Sequence, residues 1–468
     1  MAMGKRRRRT RQPSMWVASA DLPRSGGHPF YERLNRVLDK AGFDAFVESQ
    51  CAKFYADGVG RPSLAPGRYF RLLLVGYFEG LDSERAIAWR AADSLSLRQF
   101  LDLALHEAPP DHSTVSRTRR RIDVETHEAV FTWVLQRLAD AGLVRGKTVG
   151  IDATTLEANA ALRSIVRRDT GEGYETFLRG LAEASDIPTP TRAELARLDR
   201  KRPKKGSNDE WTHPRDPDAK ITRMKDGRTH LAHKAEHAVD LETGAVVGVT
   251  VQDADAGDTK TMSETLIAAA EQVEAVLPAG AGVAEVVGDK GYHSNATLVA
   301  LAELGIRSYV SEPARGRRCW RGNPAARAAV HANRRRIRGV RGRRLLRLRG
   351  ERLERPHAHL YETGRLRRVH LRGHPNVLKR LLVHVAGFNL GLLMRRLTGV
   401  GTPRSLQGRA RALVDVLISA LSHRWRLVPR FWAPVPCNPA GPSSIAPTTP
   451  SRQPLFLPLQ GRASTTDS

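Results

Sequence analysis

Two aspartates stand where apolar, strand-like runs give way to turns: Asp152 in VGIDATTLEAN and Asp289 in VVGDKGYHS. An acid at a strand end projects its carboxylate from a sheet edge, where ligands gather in α/β proteins. Carboxylates sharing such a cleft are hard oxygen ligands for divalent ions. Two ions about 3.5–4 Å apart can stabilise the attacking and leaving oxygens of a phosphodiester at once. Either aspartate alone reads as an ordinary turn former. The pair, in this order and in so basic a chain, points to metal-assisted phosphoryl transfer. Lys290 and Tyr292, directly after Asp289, are candidates for contacts to the phosphate beside the reacting bond. His233 and Lys234 are strand neighbours that alternation sends to opposite faces, so one of them can face the cleft. His293 reads as a structural or exposed histidine. Arg355, Arg365, Arg367 and Arg368 suit phosphate contact rather than proton transfer, because arginine keeps its charge.

The elements that must position these residues follow from periodicity and breakers. From Pro29 to about Arg145 apolar residues recur at three- and four-residue intervals, the mark of helices. Pro66 opens one helix and Gly80 closes it, Asp82 and Ser83 cap the next, and Asp111-His112-Ser113 caps another that ends in a basic face near Arg121. The period changes near Gly146, where KTVGID reads as a strand. A polar stretch over 162–218 reads as an insertion, partly helix and partly loop. THLAHKAEHAVDL and AVVGVTVQD, joined at Glu242-Thr243-Gly244, form a β-hairpin. A helix (259–277), a strand (283–289), a helix (294–304) and a strand (306–312) follow. An arginine-rich block then leads into helices around 347–361 and 375–396. Without the insertion the order is strand, hairpin, helix, strand, helix, strand, helix. That order matches a ribonuclease-H-like α/β fold.

Composition names the partner. The formal charge is +27, and Pro313 to Gly350 holds fourteen arginines, Arg334, Arg335 and Arg336 among them, with no acidic residue. A positive excess of this size favours a polyanion, since each cation that meets a phosphate releases counterions. A membrane surface fits less well, because no amphipathic aromatic stripe accompanies the charge. No apolar run of roughly 18–20 residues reads as a membrane span, and the basic stretch Met1–Gln12 is not followed by a signal-type apolar segment. The expectation is a cytoplasmic protein. Cys51, Cys319 and Cys437 are far apart and odd in number, which fits neither a disulfide framework nor a zinc site.

Taken together, several stretches resemble the DDE transposases of bacterial insertion sequences, in the IS4/IS5-like superfamily and closest to the IS1182 group. They are GRPSLAPGRYFRLLLVGYFEGLDSERAIAWRAADSLSLRQFL, PPDHSTVSRTRRRI, VGIDATTLEANA, DPDAKITR, HKAEHAVDLETGAVVG, VGDKGYHS and ERPHAHLYETGRLRRVHLRGHPNVLKRLLVHVAGFNL. The resemblance spans residues 29–400. It implies a flexible basic arm (1–28), an all-helical N-terminal domain for DNA binding or assembly (29–145) and a ribonuclease-H-like catalytic core (146–400). A helical extension (401–430) and a disordered Pro/Ser-rich tail (431–468) complete the expectation. It implies Asp152 and Asp289 as the first two acids of a metal-binding triad and a glutamate on the helix after the last strand as the third. Glu354 takes that position, with Glu351 as the competing choice and Glu362 further along. Two Mg2+ or Mn2+ ions, double-stranded DNA comprising the element's inverted repeats and its target, and a homodimer on DNA are further implications. Related families carry Tyr and Arg seven and four residues before the glutamate and Lys seven after it; here Arg347, Gly350 and Tyr361 stand there. A nuclease of the same fold and a non-catalytic DNA-binding descendant are the rival readings.

Overall fold

The computed structural model describes residues 27–56, 63–201, 206–224, 226–314, 316 and 320–406. The basic arm through residue 26, most of the expected extension after 400, the Pro/Ser-rich tail, Cys319 and Cys437 lie outside the described residues.

Seven helices come first: α1 (Pro29–Lys40), α2 (Phe43–Cys51), α3 (Pro66–Glu79), α4 (Glu84–Asp93), α5 (Leu95–Phe100), α6 (His112–Arg121) and α7 (Val124–Asp140). Their ends follow the expected signals. Prolines begin α1 and α3, and Gly80 ends α3 in the left-handed conformation at φ 67°. Ser83, Ser94, Asp111 and Asp123 each accept a backbone N–H from the first turn of the helix they precede, which satisfies otherwise orphaned donors. α3 is buried on nearly every side from Tyr69 to Phe78.

The second half is a mixed α/β unit. Its strands and helices are β1 (Thr148–Glu157), β2 (Val166–Arg167), α8 (Tyr174–Glu183), α9 (Arg192–Lys201), β3 (Trp211–Thr212), β4 (Lys220–Arg223), β5 (Thr229–Asp240) and β6 (Val246–Asp253). Then come α10 (Asp258–Val276), β7 (Glu285–Gly288), α11 (Asn295–Glu303), β8 (Arg307–Val310), α12 (Pro324–Arg338), α13 (Val340–His357) and α14 (His374–Thr398). β5 is the spine. On one side it pairs antiparallel with β1, setting Asp152 opposite His237. On the other it pairs antiparallel with both β6 and the short β4. β1, β7 and β8 are parallel neighbours in that order. The hairpin turns at Gly244, where φ is 83°.

Most segments match the sequence expectation, with four differences. β1 runs past Asp152 to Glu157, because its pairing with β5 continues to Ala232, so Asp152 stands mid-strand rather than at a strand end. β4 falls in KITR, too short and polar to be read as a strand; its pairing with β5 supplies what its own sequence does not. The arginine block is helical from Pro324 on, as α12 and α13 on either side of Gly339, with apolar positions such as Ala329, Val330 and Leu345 buried beneath the arginines. The insertion has small cores of its own, one around Trp211 and Ile165 and one around Leu178 and Leu195.

α14 holds the two halves together. Despite the expectation that no run is apolar enough, it is long and apolar enough to cross a membrane by length and composition. In the fold it is a core helix, packed against α3, α7 and β6. Asn389 in its middle receives the Val246 N–H at 3.1 Å and donates to the Val246 carbonyl at 2.8 Å. This clamps the start of β6 in an otherwise apolar interior.

Buried histidines make the fold acid-sensitive. His127 lies between the Tyr69 hydroxyl (3.1 Å) and the Asp123 carbonyl (2.7 Å), and burial pulls its pKa down to about 4. Burial also lowers His237 and His384. These rings are neutral when folded and take up protons when unfolded below about 6.5. Their contribution is therefore complete above that pH and is lost as pH falls toward 4. Thermal melts should show a clear loss of stability between pH 7 and pH 5, on the order of 2 kcal/mol from His127 alone. A melting temperature unchanged over that range would refute the assignment.

Candidate active site and nucleic-acid surface

Parallel pairing brings the two aspartates together. Thr148 pairs with Glu285 and Gly150 with Val287, so the same register carried forward sets Asp152 level with Asp289. Asp289 ends β7 and caps the single turn Lys290–Tyr292, its carboxylate accepting the Gly291 N–H at 2.8 Å. Asp152 shares its face of β1 with Gly150. A side chain at 150 would meet Leu353 and Leu241 at under 3 Å, so glycine there lets α13 lie directly on the strand.

From that helix Arg349 reaches both acids. One guanidinium nitrogen lies 2.7 Å from Asp152 Oδ1 and 4.0 Å from Asp289 Oδ2. The guanidinium also donates to the Ile151 carbonyl at 3.3 Å. His357, two turns along, has Nδ1 3.8 Å from Asp152 Oδ2. Its ring also lies edge-on to His237, which bonds the Tyr361 hydroxyl. The Asp152 side chain is 29% exposed and that of Asp289 42%, so the cleft is open to a large substrate.

The opposite face of the sheet carries a buried polar network that fixes the Asp289 turn. Glu236 accepts from the Thr261 hydroxyl (2.9 Å), the Thr265 hydroxyl (2.5 Å) and the Tyr292 hydroxyl (2.8 Å). Burial raises its carboxyl pKa. Lys234 donates to Asp258 (2.7 Å), to Thr261 (2.9 Å) and to the Ala256 carbonyl (3.1 Å). A side chain at Gly291 would meet the Asp258 carboxylate and have to displace it. Alternation does separate His233 from Lys234, and His233 faces buried Asp216 at 3.3 Å.

The structure does not gather all the expected residues. Tyr292 was expected at the phosphate; it is fully buried and its hydroxyl belongs to Glu236. A tyrosine following a glycine turn packs inward here because the turn closes over α10. Lys290 is exposed beside Asp289. Arg334 is held by both oxygens of Glu312, and Arg336 by Ser308 through its carbonyl and hydroxyl. Both arginines therefore fasten α12 to the sheet edge, while Arg335 between them is exposed. Arg355 is exposed and 3.7 Å from Glu351. Arg367 pairs with Glu362, donates to Thr154 at 2.9 Å and covers the Tyr361 ring. Arg368 is 3.8 Å from Glu157 and 58% exposed.

Glu354 is exposed on α13, one turn before His357. At about 100° per residue it lies about 100° around the helix from the buried Leu353, and Glu351 about 160°. Glu354 thus borders the strip that faces Asp152, whereas Glu351 points away. Glu362 lies in a widened turn (358–363) after Pro356, which cannot donate to the helix ladder.

Arg349, His357, Glu236 and Asp258 were not singled out by sequence. A helical wheel with Leu353, Pro356 and Leu360 inward would have put Arg349 on the buried strip. For divalent ions the donor chemistry fits in part. Asp152 and Asp289 already converge on one cation, a guanidinium that stands where a metal charge would. Among the described residues, however, no three His, Cys, Asp or Glu side chains are arranged to hold an ion. An ion held by Asp152 and Asp289 would need a third protein ligand to turn into the cleft.

Two family matches accompany this geometry. Residues 19–121 match a transposase domain (DUF772), and residues 186–390 match the transposase DDE domain. The second match includes Asp289, Arg349 and Glu354 and begins after Asp152. No curated protein matches the chain.

Proposed function

Given that the chain is a DDE transposase of the insertion-sequence type and so acts on DNA, we propose that it cuts DNA at the ends of its element and joins the freed ends to target DNA. The observation that carries this reading is the sharing of one cation by Asp152, midway along β1, and Asp289, just past the end of the adjacent parallel β7. The strand order β6–β5–β1–β7–β8, with the first three antiparallel and the last three parallel, supports a ribonuclease-H-like core.

The DDE family generally depends on divalent metal. Asp152, Asp289 and Glu354 would hold two ions, Mg2+ or Mn2+. Bound there, such ions would acidify the attacking water and stabilise the leaving oxygen. The chain's own groups position the DNA. Exposed Lys290 lies at the cleft mouth, and Arg335, Arg355 and Arg368 offer charge to backbone phosphates. Water attacks the end phosphodiester in line and leaves a 3′-hydroxyl and a 5′-phosphate. That hydroxyl oxygen then attacks a target phosphorus, displaces the target 3′-oxygen and loses its proton to solvent. Two ends must be joined together, so the working form is a dimer on DNA.

The incomplete gathering of carboxylates favours a second reading, a DNA-binding descendant without activity. One assay separates the readings: full-length chain, Mn2+, a plasmid carrying both element ends and a supercoiled target. Cleaved and joined products are expected. Cleavage without joining would mark a nuclease, and retained binding with neither product would mark the inactive descendant.

A further inference from the structure

We propose that Arg349 is a resident counter-ion for the metal-free site, and that a divalent ion enters only by displacing it. The proposal rests on the reading of Asp152 and Asp289 as metal ligands.

Two carboxylates facing one cleft repel each other, and bringing them level on adjacent strands carries an electrostatic cost. Arg349 offsets that cost from a fixed base. Its helix is seated on Gly150, and its guanidinium is anchored on the Ile151 carbonyl while it reaches both acids. Arginine cannot leave by giving up its proton. A dication bound by the same oxygens would face this guanidinium at close range, where like charges repel strongly in a partly enclosed site. The same side chain therefore cannot stay in place once metal is bound. Its long flexible stem lets the head swing off Asp152 while α13 stays seated, which opens the position between the acids to the ion. His357, 3.8 Å from the other oxygen of Asp152, flanks the site without bridging the acids.

The test is Mn2+ binding without DNA, read as loss of the free-ion electron paramagnetic resonance signal on titrating the full-length chain. Arg349→Gln should bind Mn2+ at least tenfold more tightly than wild type. Arg349→Met, which keeps a long apolar stem at this position of α13, should do the same and serves if the glutamine variant fails to fold. In metal-free buffer both variants should melt lower than wild type, and saturating Mn2+ should raise their melting temperature by more than it raises that of wild type. Asp152→Asn should lose the tight site. If that loss is seen while the Arg349 variants bind no more tightly than wild type, the counter-ion proposal is overturned and the metal assignment stands. If Asp152→Asn binds like wild type, or no chain binds, the metal assignment itself fails.

Discussion

Asp152→Asn should abolish strand cleavage while leaving DNA binding within about threefold of wild type. The amide keeps the size of the side chain and can still accept from Arg349, so the fold loses little; a partly exposed ion pair of this kind contributes roughly 0–1 kcal/mol. What disappears is the negative charge on this face of β1 and, with it, a hard ligand for the divalent ion. A cleavage loss of at least about 10³-fold, about 4 kcal/mol of barrier, is the expected size. Gel shift and end-labelled cleavage on one preparation measure both quantities. The pattern matters more than either number: lost cleavage with retained binding marks a chemical role, whereas parallel loss of both would mark a folding defect. Cleavage at a normal rate would remove Asp152 from the mechanism.

The second large effect separates two glutamates three residues apart. Glu354→Gln should cut cleavage by about 10²-fold or more, some 3 kcal/mol, whereas Glu351→Gln should stay within about threefold. The reason lies in the helix. Glu351 is on the far side of α13 and engages Arg355, an (i, i+4) pair at 3.7 Å worth a few tenths of a kcal/mol. Glu354 borders the strip that carries His357 toward Asp152. A side-chain rotation can bring Glu354 toward the cleft, while Glu351 would need the helix to turn about its axis, against Gly150, Leu241 and Leu353. Inactivity of Glu351→Gln with full activity of Glu354→Gln would mean that α13 does rotate.

The sheet was largely legible in the sequence. β1, β5, β6, β7 and β8 each combine an apolar or alternating run with a turn signal, and chain order did the rest. Asp289 was legible because it sits at a change from strand to turn; Asp152 was legible from its apolar run, although β1 continues past it to Glu157. Charge hid the remainder. The arginines of α12 and α13 masked an inward apolar strip, and with it the difference between Arg334 and Arg336, which fasten the helix, and Arg335, which is exposed. Tyr292 looked like a substrate contact because its neighbours are Gly291 and Lys290; that its hydroxyl crosses the sheet layer to Glu236, 56 positions earlier, leaves no local trace. Arg349 was one arginine among fourteen between Pro313 and Gly350, and it stands apart only once the inward strip of α13 is drawn.

The place of α14 bears on how the protein is made. A ribosome delivers α3, α7 and β6 long before it delivers residues 374–398, and all three present apolar faces that pack against this helix. Until it emerges, the N-terminal helices and the sheet are open halves that share a missing wall. A copy interrupted before Gly373 would leave that wall unbuilt, and its exposed faces would invite chaperones and proteases. Such interrupted copies should be cleared from the cell rather than accumulate as DNA-binding competitors of the intact enzyme.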